Sequence, residues 1–168
     1  MKGTPLAANG LGGRSNVVIR LLDLAQLGQA QWLFGNIYEA VVKIPERLAA
    51  EARPPSVLAP GSPVRYYAAA APITVAATAA AVRQGWEIDE ARRWLAATAG
   101  CSLTGLAVTG YLIRTVNLKV MFAPAPPDQR DALIRTWHRL NLARIGVAGG
   151  ALFAANRASR VIARRGAS

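Results

Sequence analysis

Cysteine and histidine are almost absent from this sequence, which holds one of each, Cys101 and His138. A single cysteine excludes an intramolecular disulfide and any metal site built from several cysteines, so Cys101 is predicted to be a packing residue. One histidine is too few for the paired Glu-x-x-His motifs of a di-iron helix bundle. Glycine-rich nucleotide loops and c-type haem motifs are missing as well. The sequence therefore predicts no metal site, unless an oligomer brings further ligands together.

Aromatic and acidic residues are also scarce. Phe, Trp and Tyr make up only 7% of a chain that is 52% hydrophobic, and much of the remainder is alanine, glycine and valine. Small residues in such numbers favour close contact between helices in lipid. The net charge of +11 raises a soluble nucleic-acid-binding protein as the alternative interpretation. The Lys and Arg residues lie between apolar stretches and cluster at the C-terminus, and they do not form one basic stripe. We therefore predict a lipid bilayer, and no nucleic acid, as the partner.

Four apolar stretches divide the 168 residues, which by length form one domain. Each stretch is bounded by charges, glycine or proline, and the third contains a core of nineteen residues without a charge, close to the roughly 20 that cross a hydrocarbon core. Most connections are short, which favours antiparallel neighbours. We therefore predict an all-α, integral membrane four-helix bundle with up-down-up-down topology. The spans are expected at about 17–44, 64–82, 88–122 and 128–157, followed by a basic C-terminal tail at 158–168.

Prolines and acidic residues suggest where these helices begin, end or bend. Pro45 is expected to end the first helix and Pro72 to kink the second, because proline cannot donate a backbone hydrogen bond. The Pro-rich loop after Pro45 is expected to begin with one or two helical turns. Asp128 is a candidate N-cap for the last helix.

Basic residues set the expected orientation in the membrane. Four spans place both termini on one side, and that side carries more Lys and Arg, including a cluster at Arg157, Arg160, Arg164 and Arg165. Positively charged flanks are retained in the cytoplasm. We predict a multi-pass protein of the cell membrane with both termini cytoplasmic.

Polar residues recur at helical spacing within the spans. A polar face inside a membrane should point to the bundle interior, because exposure to lipid is costly. Span three adds a seam of small residues, Thr98, Ser102, Gly105 and Thr109. The candidate binding residues are Trp32, Asn36, Tyr66, Tyr67, Asn117, Trp137 and Asn141, and the candidate catalytic residues are Glu39, His138 and Arg144.

These groups offer acid–base chemistry in a lipid-accessible pocket. Glu39 and His138 can exchange protons, and Arg144 with the amides of Asn36 and Asn141 can stabilise an anion. A structural interpretation stays open beside this one. In it, Glu39 and Arg144 are a buried pair that sets helix register, His138 is an interfacial residue, and the tyrosines belong to an aromatic belt.

Three segments, "LFGNIYEAVVKIP", "SPVRYY" and "TWHRLNLAR", resemble the small four-span membrane proteins of the anthrone-oxygenase-like family. The resemblance implies an oxygenase that oxidises anthrones to anthraquinones with molecular oxygen and without a dedicated cofactor. By position, it implies a site made of Asn36 and Glu39 with His138, Asn141 and Arg144. The substrate would be an apolar, polycyclic or prenylated small molecule.

Two other functions remain open from the sequence. One is a membrane cyclase or isomerase, in which Glu39 protonates an alkene or an epoxide. The other is a non-catalytic structural or lipid-binding subunit, which assembles with a partner or as a homo-oligomer.

Overall fold

A computed structural model describes residues 6–50, 63–119 and 126–166, and within these ranges every regular element is a helix. Residues 113–117 form a π-helical segment that continues the fifth helix. The all-α part of the predicted fold is confirmed. The helices are α1 (Leu6–Val41), α2 (Ile44–Ala50), α3 (Pro63–Ala68), α4 (Ala70–Gly85), α5 (Asp89–Leu112) and α6 (Pro127–Gly166).

The four long helices pack so that consecutive ones run antiparallel. α1 contacts α4 and α6, and α5 contacts the same two helices. At one end, here called the Glu87 end, the start of α1 meets the end of α4 through Arg14 and Glu87, whose side chains are 2.8 Å apart. At the other end, here called the α2 end, Glu46 of α2 lies 2.7 Å from His138 of α6. Each polar residue in the middle of one helix therefore has a fixed depth relative to the others.

The first helix ends earlier than predicted. α1 stops at Val41 and not at Ile44, and Lys43 has a positive φ of 53°, which turns the chain. Pro45 does not end α1; it lies in the first turn of α2, where its missing N–H is not needed. The helical turn expected after Pro45 is thus present, whereas the remainder of the Pro-rich loop lies outside the described residues.

The second span is helical from Pro63 to Gly85 except at Ala69, whose φ of −81° and ψ of −41° remain helical, so the predicted kink takes the form of a one-residue interruption. α3 ends at Ala68 and α4 begins at Ala70. Pro72 explains the break, because it cannot donate a hydrogen bond to the carbonyl of Ala68, four residues earlier, and its ring collides with that carbonyl.

The third span is helical from Asp89 through its π-helical segment, which the sequence did not predict. There the N–H of Leu118 donates to the carbonyl of Ile113, five residues back. The predicted end at residue 122 lies outside the described ranges. Among the described helices, Asp89–Asn117 alone is long and apolar enough by composition to cross a membrane. The membrane part of the predicted fold accordingly stays a prediction.

The last helix is longer than its predicted span at both limits. It begins at Pro127, so Asp128 lies in its first turn and is not the N-cap. It continues to Gly166, which makes the predicted basic tail a helical extension as far as the structure describes it. The core at the Glu87 end is built from apolar side chains of all four long helices, including Val18, Leu22, Ala81, Leu95 and Ile162.

Candidate functional site

A buried polar network joins α1 to α6 near the α2 end of the bundle. Arg144 Nη1 lies 3.3 Å from Glu39 Oε2 and donates to Asn141 Oδ1 at 3.2 Å. Asn141 Nδ2 in turn donates to the backbone carbonyl of Asn36 at 2.8 Å. The side chains of Glu39 and Arg144 are each only 8% exposed. We call these four residues the Glu39–Arg144 network.

Sequence spacing explains how the network forms. Asn36 and Glu39 are three residues apart on α1, and Asn141 and Arg144 are three apart on α6. Residues at this spacing share one face of a helix. Since α1 and α6 run antiparallel and in contact, the two faces meet at one depth.

Tyr67 of α3 completes the network from a third direction. Its hydroxyl lies 3.5 Å from Asn36 Oδ1 and also hydrogen-bonds the Glu39 carboxylate. The Arg144 guanidinium carbon lies 5.9 Å from the centre of the Tyr67 ring, within the range of a cation–π contact. The hydroxyl can come this close to α1 because Gly35 has no side chain; a Cβ there would collide with it.

A partly open cavity of about 190 Å³ lies against this network. Its walls are mostly apolar and come from α1 to α6, including Ile44 and Pro45 of α2 at the α2 end. Its ionisable side chains are Glu39, Tyr67 and Arg144, joined by the amide of Asn117. The other walls include Leu112, Ile113, Val116 and Trp137.

A smaller cavity of about 60 Å³ continues toward the middle of the bundle and shares Tyr67 and Arg144 with the larger one. Trp32 and Asn36 line it, as does Gln29, whose amide donates to Ser102 Oγ at 2.8 Å. Two buried polar atoms, Arg144 Nε and Gln29 Oε1, have no hydrogen-bond partner among the described residues. Buried polar atoms are seldom left unpaired. Arg144 Nε can therefore donate a hydrogen bond, and Gln29 Oε1 can accept one, to or from a water molecule or a polar ligand atom in this region.

His138 lies outside both cavities, on the neighbouring turn of α6. Its Nε2 is 2.7 Å from Glu46 Oε1, and its ring meets that of Trp137 edge-on at 5.3 Å. Partial burial disfavours ionisation of Glu46, but hydrogen bonds from His138 and from the backbone outweigh it and hold the pKa of Glu46 below its ordinary value of 4.5. The pair ties α2 to α6 beside the mouth of the larger cavity.

Comparison with family models, with curated proteins and with solved structures finds no match. The resemblance to the anthrone-oxygenase-like family therefore stays a prediction. Within the described ranges, no three His, Cys, Asp or Glu side chains gather in a group that could hold a metal ion.

The structure brings most of the predicted site residues together. Asn36, Glu39, Asn141 and Arg144 form the network, while Trp32, Tyr67, Asn117 and Trp137 line one or both cavities. Two predicted residues lie elsewhere. Tyr66 is 57% exposed on the outside of α3, and His138 pairs with Glu46. Their predicted roles in binding and catalysis remain untested.

The sequence reasoning missed Glu46 and the walls supplied by α2. A signal was present, because proline followed by glutamate is typical of the first turn of a helix. The prediction made Pro45 the end of the first helix and expected helical turns after it, but it assigned no role to Glu46. The cavity wall at Ile113 and Val116 depends on the π-helical segment, for which the sequence offers no pattern.

Proposed function

We propose that this chain is a multi-pass integral membrane protein whose larger cavity binds an apolar small molecule and performs acid–base chemistry on it, namely a cofactor-independent oxygenation. The observation that carries this proposal is the composition of the cavity walls. An apolar chamber meets Glu39, Tyr67 and Arg144 on one side, where they contact one another.

A belt free of exposed charge supports the membrane placement. It covers residues 24–42, 66–82, 94–113 and 140–156, in which the only charged side chains, Glu39 and Arg144, are buried. At 1.5 Å per residue each stretch is about 25–30 Å long, close to the roughly 30 Å hydrocarbon core of a bilayer. Every long helix exposes a large apolar side chain within the belt, namely Leu27, Ile73, Leu103 and Leu142, at 53–71% exposure.

The apolar helix Asp89–Asn117 gives a second argument for lipid. The core helix of a soluble protein is mostly buried, but only 22% of the apolar window of this helix is buried. Large apolar surfaces facing outward are rare on soluble monomers. For the orientation, the dense basic cluster at the end of α6, formed by Arg157, Arg160, Arg164 and Arg165, supports cytoplasmic termini in the cell membrane.

The size of the cavity limits what it can hold. A cavity of about 150 Å³ accommodates benzene, so 190 Å³ holds one aromatic ring with a substituent. Further rings or a prenyl chain must extend through the cavity mouth. The favoured ligand presents a carbonyl or hydroxyl oxygen to Arg144 and Tyr67 and keeps its apolar part toward Leu112 and Val116.

The proposed reaction needs a base, an oxyanion stabiliser and molecular oxygen. The Glu39 carboxylate removes a proton from a carbon that is conjugated with a carbonyl, and the electron pair moves onto the carbonyl oxygen, which Arg144 and Tyr67 stabilise. The resulting carbanion adds O₂, takes back a proton as a hydroperoxide and loses water. The balance is R₂CH₂ + O₂ → R₂C=O + H₂O, and no reductant is consumed.

His138 has a different role in this proposal. Because its ring pairs with Glu46 and lines neither cavity, we propose that it positions α2 at the cavity mouth. Glu39 remains the group that exchanges the proton.

Oxygen uptake tests the chemistry. Purified protein in detergent is mixed with an anthrone, and oxygen consumption and product are measured together. We expect one O₂ consumed per anthrone oxidised, and a loss of turnover of about 100-fold or more for Glu39→Gln, the usual scale of general-base catalysis. Tyr67→Phe should reduce turnover, whereas its neighbour Tyr66→Phe removes an exposed hydroxyl and should not.

The alternative proposal is that the Glu39–Arg144 network has only a structural role. Glu39 and Arg144 bond each other and link two helices, which is also what a register-setting pair does. Normal oxygen uptake by folded Glu39→Gln protein would refute the catalytic assignment. Failure of the wild-type protein to bind or oxidise any aromatic ketone, together with isolation of a stable partner subunit, would favour the structural role.

A further inference from the structure

Two arginines from different helices converge on one tryptophan at the Glu87 end. The guanidinium carbons of Arg93 on α5 and Arg157 on α6 lie 5.2 Å and 5.4 Å from the ring centre of Trp94. Phe153, one turn before Arg157, meets the same indole edge-on at 5.9 Å. This cluster lies far from the Glu39–Arg144 network and plays no part in the proposed reaction.

The cluster holds two like charges, those of Arg93 and Arg157, that no carboxylate in the described part of the chain neutralises. The acidic residue one turn before Trp94, Glu90, is engaged by Arg165 at 3.0 Å. The two guanidinium groups on one indole repel each other, and an anion between or beside them would remove that repulsion. The arrangement therefore favours an anionic ligand.

The position of the cluster identifies the kind of anion. Arg93 and Arg157 are the first charged residues beyond the charge-free belt on their respective helices, and Trp94 is the last residue inside it. Tryptophan at the border of a bilayer lies at the level of the headgroups. If the belt is embedded in lipid, both guanidinium groups lie where phospholipid phosphates are.

An exposed apolar surface continues from the cluster into the belt. Phe153 is 60% exposed, and α5 presents the exposed small residues Ala97 and Gly100 on the same stretch. The two helices approach closely here, because a Cβ on Gly150 would lie 3.2 Å from Cys101 Sγ. Because the side chains there are small, the outer surface along the α5–α6 contact, here called the α5–α6 groove, leaves room for an acyl chain, which a free phosphate ion would not use.

We infer that Arg93, Trp94 and Arg157 bind the phosphate of an anionic phospholipid, with one acyl chain lying along the α5–α6 groove beside Phe153. Guanidinium groups match phosphate oxygens with two parallel hydrogen bonds. A zwitterionic headgroup would add a third positive charge to the cluster, so an anionic headgroup is preferred. This inference rests on the membrane placement proposed above, but not on the proposed oxygenation.

Native mass spectrometry of protein released from nanodiscs tests the site. The nanodiscs contain equal amounts of phosphatidylglycerol and phosphatidylcholine, and the retained lipids are counted. We expect the wild-type protein to retain phosphatidylglycerol selectively, and the double variant Arg93→Gln/Arg157→Gln to lose about tenfold or more of that selectivity. The matched control is the double variant Arg160→Gln/Arg164→Gln, which also removes two positive charges at the Glu87 end but leaves the contacts with Trp94 in place. This control should retain the selectivity for phosphatidylglycerol.

Each other result overturns the inference. If both double variants lose the same amount of selectivity, the anionic lipid is attracted by the basic charge of this end in general, and there is no specific lipid site. Displacement of the lipid by millimolar inorganic phosphate would mean a site for free anions. If the Gln variant does not fold, Arg93→Lys/Arg157→Lys keeps the charge but loses the paired hydrogen bonds, and unchanged selectivity in it would contradict the proposed contacts.

The membrane placement is checked first, on the same wild-type preparation. If the protein is found in the soluble fraction of lysed cells without detergent, both the proposed membrane placement and this inference are refuted. Extraction by detergent only, with no preference between the two lipids, would leave the membrane placement intact and refute the lipid site alone.

Discussion

The buried ion pair between Glu39 and Arg144 should be strongly coupled. At an effective dielectric constant of 20, unit charges 3.3 Å apart attract by about 5 kcal/mol. Removing one partner leaves the other charge buried and unpaired, which typically costs about 3–5 kcal/mol. We therefore expect Glu39→Gln and Arg144→Met each to lower the free energy of unfolding by roughly that amount. The double variant should be less destabilised than the two single losses combined, because neither charge then remains.

A second ion pair offers a matched control for burial. Glu90 and Arg165 are closer, at 3.0 Å, but their side chains are 59–63% exposed. Exposed pairs contribute about 0–1 kcal/mol, so the cycle of Glu90→Gln and Arg165→Met should give a much smaller coupling energy. The comparison separates burial from distance, because distance alone would rank the pairs the other way.

Reversible unfolding in mixed micelles, followed by tryptophan fluorescence, gives the free energy of unfolding for the wild type, which the two cycles share, and for the three variants of each cycle. Equal coupling energies in both cycles would refute the reasoning, since burial would then have no effect. The rescued variant Glu39→Gln/Arg144→Met also separates function from folding. If the network is catalytic, this variant should be folded and still inactive toward the anthrone.

Three further predictions concern packing, topology and pH. Gly105→Leu should destabilise the bundle by about 1–3 kcal/mol, because a side chain there meets α6, whereas Gly100→Leu, with open space, should melt like the parent. In a cysteine-free background, impermeant maleimide added to intact cells should label a cysteine at Ser62 and not one at Ser168; the reverse pattern would invert the proposed orientation. The lowered pKa of Glu46 stabilises the folded state above pH 4.5 and is lost as the pH falls below it. The wild-type melting temperature should therefore fall between pH 5 and pH 3 more steeply than that of Glu46→Gln, and parallel curves would contradict this.

The helices and the main network could be predicted because both depend on local patterns. Helical spacing alone placed Asn36 with Glu39 and Asn141 with Arg144 on single faces. Antiparallel packing then required the two faces to meet. The small-residue seam of α5 follows the same logic, since Thr98, Ser102 and Gly105 are all buried.

The parts that were missed depend on events within one or two residues. The turn at Lys43, which separates α2 from α1, needs a positive φ. Lysine gives no sign of such a turn, because glycine and asparagine are the residues that usually adopt this conformation. It decides that Glu46 faces His138, so the environment of His138 could not be read from α6 alone.

Because the π-helical segment at Ile113–Asn117 lines the larger cavity, the volume of that cavity depends on the number of residues in the segment as well as on their identity. Such a segment is equivalent to an α-helix with one residue inserted, and it is common at functional sites. Deleting Thr115 would bring Leu118 to four residues from Ile113, so the same backbone hydrogen bond would close a regular α-helical turn and Leu118 would keep its facing. The wide turn that brings Ile113, Val116 and Asn117 to the cavity wall would then narrow without any change in these three residues. A single codon gained or lost at this place can therefore remodel the chamber, which gives evolution and protein engineers a route to new ligands that spares the Glu39–Arg144 network.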